Sequence, residues 1–183
     1  MESYLIITGR RGSGKDALSS YVTEKYNIPS VRFSSIIGEI GIEMGRLTKD
    51  NFEVKENLQE TARYLREEHG EEYYTKRVAE RVKGRTHTIN GMRYPKEYDC
   101  LRELLGDNLV TIGIIGDQQI RYKRALDIGI VNSYDQFQKQ EAHSAEVKIN
   151  MLVDNADHKI ENNGTLNEFY RKVDDLLVRL RVV

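Results

Sequence analysis

Gly9, Gly14 and Lys15 stand in G-x-x-x-x-G-K spacing within "ITGRRGSGKDAL", residues 7–18. Glycines at such spacing let a backbone curl around phosphate oxygens, with N–H groups pointing inward and a cationic lysine to neutralise charge. The run "SYLIIT" before the loop reads as a strand buried on both sides. After it, "KDALSSYVTEKY" carries Leu18, Val22 and Tyr26 four residues apart, as a helix does. A helix N-terminus behind the loop adds partial positive charge where a phosphate would sit, so the context strengthens the pattern. Gly9, Arg10, Arg11, Gly12, Ser13, Gly14, Lys15, Asp16 and Ala17 form the candidate nucleotide-binding set.

Asp16 stands where such loops usually carry a hydroxyl that coordinates magnesium on the β and γ phosphates. An aspartate can serve magnesium, a hard cation that prefers oxygen ligands and keeps several waters. Alternatively, Asp16 caps the helix or pairs with Arg10 or Arg11. A second strand end, in "TINGMR", offers Asn90 where a metal-holding carboxylate is common. Asp16 and Asn90 are therefore the candidate metal residues, with the carboxylate relocated from one position to the other.

These residues need elements to hold them. Further strands are expected at 30–34, 85–90, 108–116 and 157–162, and helices at 36–45, 54–69, near 74–82, from Pro95, near 117–127 and from 164. Ser133 with Gln136 and Thr165 with Glu168 have capping-box spacing. Alternating strands and helices argue for an α/β fold, a parallel sheet with helices on both faces. A chain of 183 residues is long enough for one substantial core, and one domain spanning 1–183 is expected. A net charge of −1 supplies no global field for nucleic acid, which disfavours a nucleic-acid partner. No apolar run would cross a membrane, and the N-terminus has no basic n-region, so a cytoplasmic location is expected. Cys100 is alone, which excludes an intrachain disulfide, and reads as a small helix-face hydrophobe. His69, His87, His143 and His158 lack ligand spacing and read as structural or surface residues.

With the loop, "INGMRYPKEYDCLRELLGD", "IRYKRAL" and "ADHKIENNGTLNEFYRKVDDLL" in view, the chain resembles the P-loop small-molecule kinases over nearly its full length. The branch is the adenylate-kinase-related, dephospho-CoA-kinase-like one that includes nucleoside monophosphate kinases. That resemblance implies a three-layer sandwich with strand order 2-3-1-4-5, a helical acceptor lobe at about 36–84 and a lid at about 129–152. It implies ATP and magnesium, and phosphoryl transfer to a nucleotide-like acceptor, by a monomer or a homodimer. Lys15, Arg93, Arg121 and Arg124 would be catalytic: Lys15 on the ATP phosphates, Arg93 on the acceptor's phosphate, and Arg121 and Arg124 near the transferring phosphate or the adenine. Two departures stand out. The lid contains no arginine, only Lys139 and Lys148 as point charges, and Ser34 and Ser35 stand where dephospho-CoA kinases carry an acceptor aspartate. A nucleotide-binding sensor without phosphoryl transfer is the competing expectation.

Overall fold

The computed structural model describes residues 2–52, 54–142 and 144–183. Five strands run parallel in the order β2-β3-β1-β4-β5: β1 is Tyr4–Gly9, β2 Ser30–Arg32, β3 His87–Asn90, β4 Leu109–Ile115 and β5 His158–Glu161. The helices are α1 (Lys15–Tyr26), α2 (Phe33–Glu43), α3 (Lys55–His69), α4 (Glu72–Val82), α5 (Pro95–Leu105), α6 (Gln118–Asp127), α7 (Tyr134–Glu141), α8 (Ser144–Asp154) and α9 (Leu166–Arg179). This is the expected α/β sandwich with its expected strand order.

Successive side chains of β1 point to opposite faces, and two cores grow from that alternation. Leu5 and Ile7 pack with Leu18 and Val22 of α1, and with Phe169, Val173, Leu176 and Leu177 of α9. Tyr4 and Ile6 pack on the other face with side chains of α2, α3, α4 and α5. Covered on both sides, β1 can be apolar throughout, which is why its sequence does not alternate.

Several ends differ from the sequence reading. β2 stops at Arg32, because Phe33 turns into the core as the first residue of α2 and meets Tyr74 edge-on with ring centroids 6.0 Å apart. β3 begins at His87; Arg85 instead donates to the Asn27 carbonyl at 2.7 Å. The polar stretch after α6 folds as α7 and α8. Ser133 Oγ accepts from the Gln136 N–H, but the Gln136 side chain reaches the Asn132 N–H rather than Ser133, so the expected box is half made. At Thr165 and Glu168 the box is complete. No helix among the described residues is long and apolar enough to cross a membrane.

Leu5 is fully buried and Leu126 is 41% exposed. Leu5→Ala should lower the unfolding free energy in urea by about 2–5 kcal/mol, as transfer and cavity terms add. Leu126→Ala should stay within about 0.5 kcal/mol of the parent; equal losses in the two variants would contradict this placement of the core.

Candidate functional site

β1 delivers the chain into the glycine loop, and each loop glycine is wedged against a different neighbour. A Cβ on Gly9 would lie 2.7 Å from the Ile114 carbonyl of β4, one on Gly12 2.4 Å from the Arg121 carbonyl of α6, and one on Gly14 2.5 Å from Asn162 Nδ2. Gly12 and Gly14 also have φ of 73° and 107°, in the left-handed region that favours glycine. Gly14 is the N-cap of α1 and offers no side-chain cap, so the first N–H groups of that helix face the loop. The Ser13 N–H donates to the Arg10 carbonyl at 3.1 Å, and Lys15 Nζ donates to the same carbonyl at 3.2 Å. Ser13 Oγ and Thr8 Oγ1 are buried without a hydrogen-bond partner among the described residues. Concave backbone, cation and orphaned hydroxyl together fit a polyanion.

Asp16 and Asn90 are brought together. β3 is aligned with β1 so that Asn90 sits opposite Ile7, and Asn90 Nδ2 donates to Asp16 Oδ1 at 3.0 Å. The same oxygen takes Arg32 Nη2 at 3.3 Å. The contacts of Asp16 are thus long-range ones: the N-cap of α1 is Gly14, Arg10 turns away to Glu141 and Asn150, and Arg11 donates to Gln140. Arg32, the last residue of β2, occupies the strand end, while Ser34 and Ser35 are exposed in the first turn of α2. No cluster of three His, Cys, Asp or Glu that could hold a metal exists among the described residues. One carboxylate, 72% exposed, still fits a hydrated magnesium whose other ligands are phosphate oxygens and water. Asn90 could orient that carboxylate through its amide donor.

Arg93 follows β3 and is exposed at the carboxyl end of the sheet, where ligands of open α/β sheets gather. Its backbone is fixed by Glu97: Oε2 accepts the N–H groups of Arg93 at 2.7 Å and Tyr94 at 3.1 Å, while Oε1 accepts the Tyr74 hydroxyl at 2.7 Å. Burial pushes the Glu97 carboxyl above its ordinary value, and these hydrogen bonds pull the other way without cancelling it. Burial, then the Glu97 charge, pushes the Tyr74 phenol up. Arg66 of α3 and Lys148 of α8 lie 4.8 and 4.5 Å from the centre of the Tyr94 ring, within cation–π range.

Arg121 and Arg124, expected to face a ligand, are engaged with the protein. Arg121 donates to the Gly116 carbonyl, the Arg11 carbonyl and both oxygens of Glu141, so four of its five N–H groups are engaged. Arg124 donates to the Asn162 carbonyl, Asn162 Oδ1 and the Gly164 carbonyl, and burial lowers its guanidinium below the ordinary value. Asn162 in turn donates to the Ser13 carbonyl at 2.8 Å, tying β5 to the loop. Burial would raise the Glu141 carboxyl, but the hydrogen bonds and charges of Arg121 and Arg10 outweigh it and hold it below the usual range.

Of the candidate residues, the loop set and Asn90 form one contiguous group, and Arg93 stands at the adjoining strand end. Four contributors escaped the sequence reading: Arg32, Glu97, Glu141 and Asn162. Only Glu97 left a signal, three residues after the Tyr94 that precedes Pro95. His69 stacks on Tyr73, His87 is buried in β3, Cys100 is buried on α5, and His143 lies outside the described residues.

No protein-family model matches the chain. It is 25% identical to the UPF0200 protein of Thermococcus onnurineus, over 96% of this chain and 97% of that one. Among solved structures, shikimate kinase from Bacteroides thetaiotaomicron superposes with a TM-score of 0.62 at 17% identity, over 98% of both chains. A gluconokinase from Sinorhizobium meliloti gives 0.55 at 13%, over 97% of this chain and 93% of that one. At these identities the likeness is one of fold, and the fold is that of the P-loop kinases.

The glycine contacts predict a graded loss of stability. Gly70 has φ of 83° and ψ of 160°, a conformation open essentially to glycine alone, with open space around it, so Gly70→Ala carries only that backbone cost of about 1–3 kcal/mol. Gly12→Ala must also displace the Arg121 carbonyl and should cost about 1–3 kcal/mol more in urea denaturation. Equal losses would mean that α6 does not press on the loop.

Proposed function

We propose that the chain transfers the γ-phosphoryl group of ATP to a nucleotide or nucleotide-like acceptor, such as a nucleoside monophosphate or a dephospho-CoA-like molecule. The observation that carries this reading is the loop itself: three glycines pressed against β4, α6 and the end of β5, opening on Lys15 and the uncapped start of α1. In this reading α2, α3 and α4 form the acceptor lobe and α7 and α8 the lid.

An acceptor oxygen attacks the γ-phosphorus as the bond from γ-phosphorus to the β–γ bridging oxygen breaks, and ADP leaves with that bond's electron pair; a monophosphate oxygen brings no proton, whereas a hydroxyl acceptor releases its proton to a transferred phosphoryl oxygen or to water. The protein's part is positioning and charge. Loop N–H groups and Lys15 hold the β and γ phosphates. Arg93, whose backbone Glu97 fixes, presents a planar pair of donors to the acceptor's phosphate. Magnesium, when bound, shields the charge between the β and γ phosphates, and Asp16, oriented by Asn90, would hold it. Arg121 and Arg124 approach the transferring phosphate only if they exchange protein acceptors for phosphate oxygens.

That last requirement favours a second reading, a nucleotide-dependent switch with little transfer. Arg121 is bound to Glu141 through two short charge-assisted hydrogen bonds, and the metal position carries an amide beside its carboxylate. Incubation with ATP, magnesium and a panel of nucleoside monophosphates plus dephospho-CoA separates the two. Acceptor-dependent ADP formation is expected; tight nucleotide binding with no acceptor-dependent ADP would contradict the kinase reading and favour the switch.

A further inference from the structure

The contact between the loop and α7–α8 has an unusual polarity. Residues 129–152 contain no arginine, so no guanidinium from this segment can reach a bound phosphate. The guanidiniums lie on the other side. Arg10 donates from Nη1 to Glu141 Oε2 at 2.7 Å and from Nε to Asn150 Oδ1 at 2.5 Å, and Arg11 donates to Gln140. Arg121 donates to the two Glu141 oxygens at 2.9 and 2.7 Å. The loop and α6 thus supply the cations, and α7 and α8 the acceptors.

Glu141 is the centre of that contact. Its side chain is 6% exposed, as is that of Arg121, so the carboxylate is removed from water and depends on these two partners. Both partners are tied to the loop: Arg10 is a loop residue, and Arg121 of α6 also donates to the Arg11 carbonyl at 3.1 Å. Drawing Arg10 away removes a partner from a buried anion, and negative charge set beside the loop repels it. A polyphosphate in the loop would compete for Arg10 and bring that charge.

We infer that Glu141 clasps α7 to the loop as an internal stand-in for phosphate, and that a bound nucleotide displaces Glu141 from its guanidiniums and releases α7. The inference rests on the nucleotide-binding reading of the loop. A ligand shifts such an equilibrium only by its differential affinity for the two states, and here the clasped state is the one that binds polyphosphate less well. Binding and release are then coupled in both directions.

Hydrogen–deuterium exchange on the full chain, with and without magnesium and ADP, tests this. In the free protein the amides of α7 should exchange slowly; saturating ADP should slow the loop amides and speed those of α7 by about fivefold or more. Glu141→Gln, which keeps shape and removes the charge, should speed α7 exchange without nucleotide and tighten ADP binding by calorimetry by about fivefold. Arg10→Gln leaves the Arg121 pair in place and should blunt the response of α7 to ADP. Should Glu141→Gln fail to fold by circular dichroism, the parent and Arg10→Gln still decide. If ADP slows exchange in the loop and α7 together, or leaves α7 unchanged, the clasp is wrong and the loop reading survives. If ADP neither binds nor protects the loop, both are wrong.

Discussion

The alignment of β3 with β1 is the constraint on which the rest of the site depends. Because Ile7 faces Asn90 in the ladder, the end of β3 arrives beside the first turn of α1, and the Asn90 amide meets the Asp16 carboxylate. The same ladder carries β2 on the far side of β3, with Arg32 opposite Asn90, so a guanidinium reaches the same oxygen. Shifting β3 by one residue would turn Asn90 to the other face of the sheet and remove the pair. Ile89 of β3, fully buried in the core on the Tyr4 and Ile6 face of β1, fixes that register.

Around this frame the charges are strongly organised although the chain as a whole carries only −1. Lys15, Arg10, Arg32 and Arg93 collect at or near the carboxyl ends of β1, β2 and β3. Two carboxylates meet two of them: Asp16, in the first turn of α1 and largely in water, meets Arg32, and Glu141, on α7 and buried, meets Arg10. The exposed one meets the Asn90 amide and the Arg32 guanidinium, while the buried one is matched to the guanidiniums of Arg10 and Arg121. A local cluster of cations of this kind needs no global field, which explains how a near-neutral chain can present one.

The parts legible in the sequence were those whose cause is local. The glycine spacing, the apolar run of β1, the four-residue spacing in α1 and the Thr165–Glu168 box each depend on neighbours within a turn or two, and each lies where its pattern places it. The contributors that escaped notice act across the fold. Glu141 meets Arg10 over 131 positions, and Asn162 meets Ser13 over 149. Nothing near Glu141 in "QKQEAH" distinguishes it from a solvated helix residue. Arg32 was hidden by a strand read two residues too long, since Phe33 belongs to the core of α2 and not to the sheet. For Arg121 and Arg124 the sequence pattern drew attention to the right helix, while their partners are protein groups that no spacing rule specifies.

The central claim is that one carboxylate, shared between two adjoining positions, equips this loop for a metal-bound polyphosphate. Its most direct test is the magnesium dependence of ADP affinity, measured by calorimetry for the parent, Asp16→Asn, Asn90→Asp and the double exchange. Asp16→Asn should lose at least about tenfold of the magnesium-dependent gain, and adding Asn90→Asp should restore most of it. Unchanged magnesium dependence in Asp16→Asn, or no recovery in the double exchange, would contradict the account.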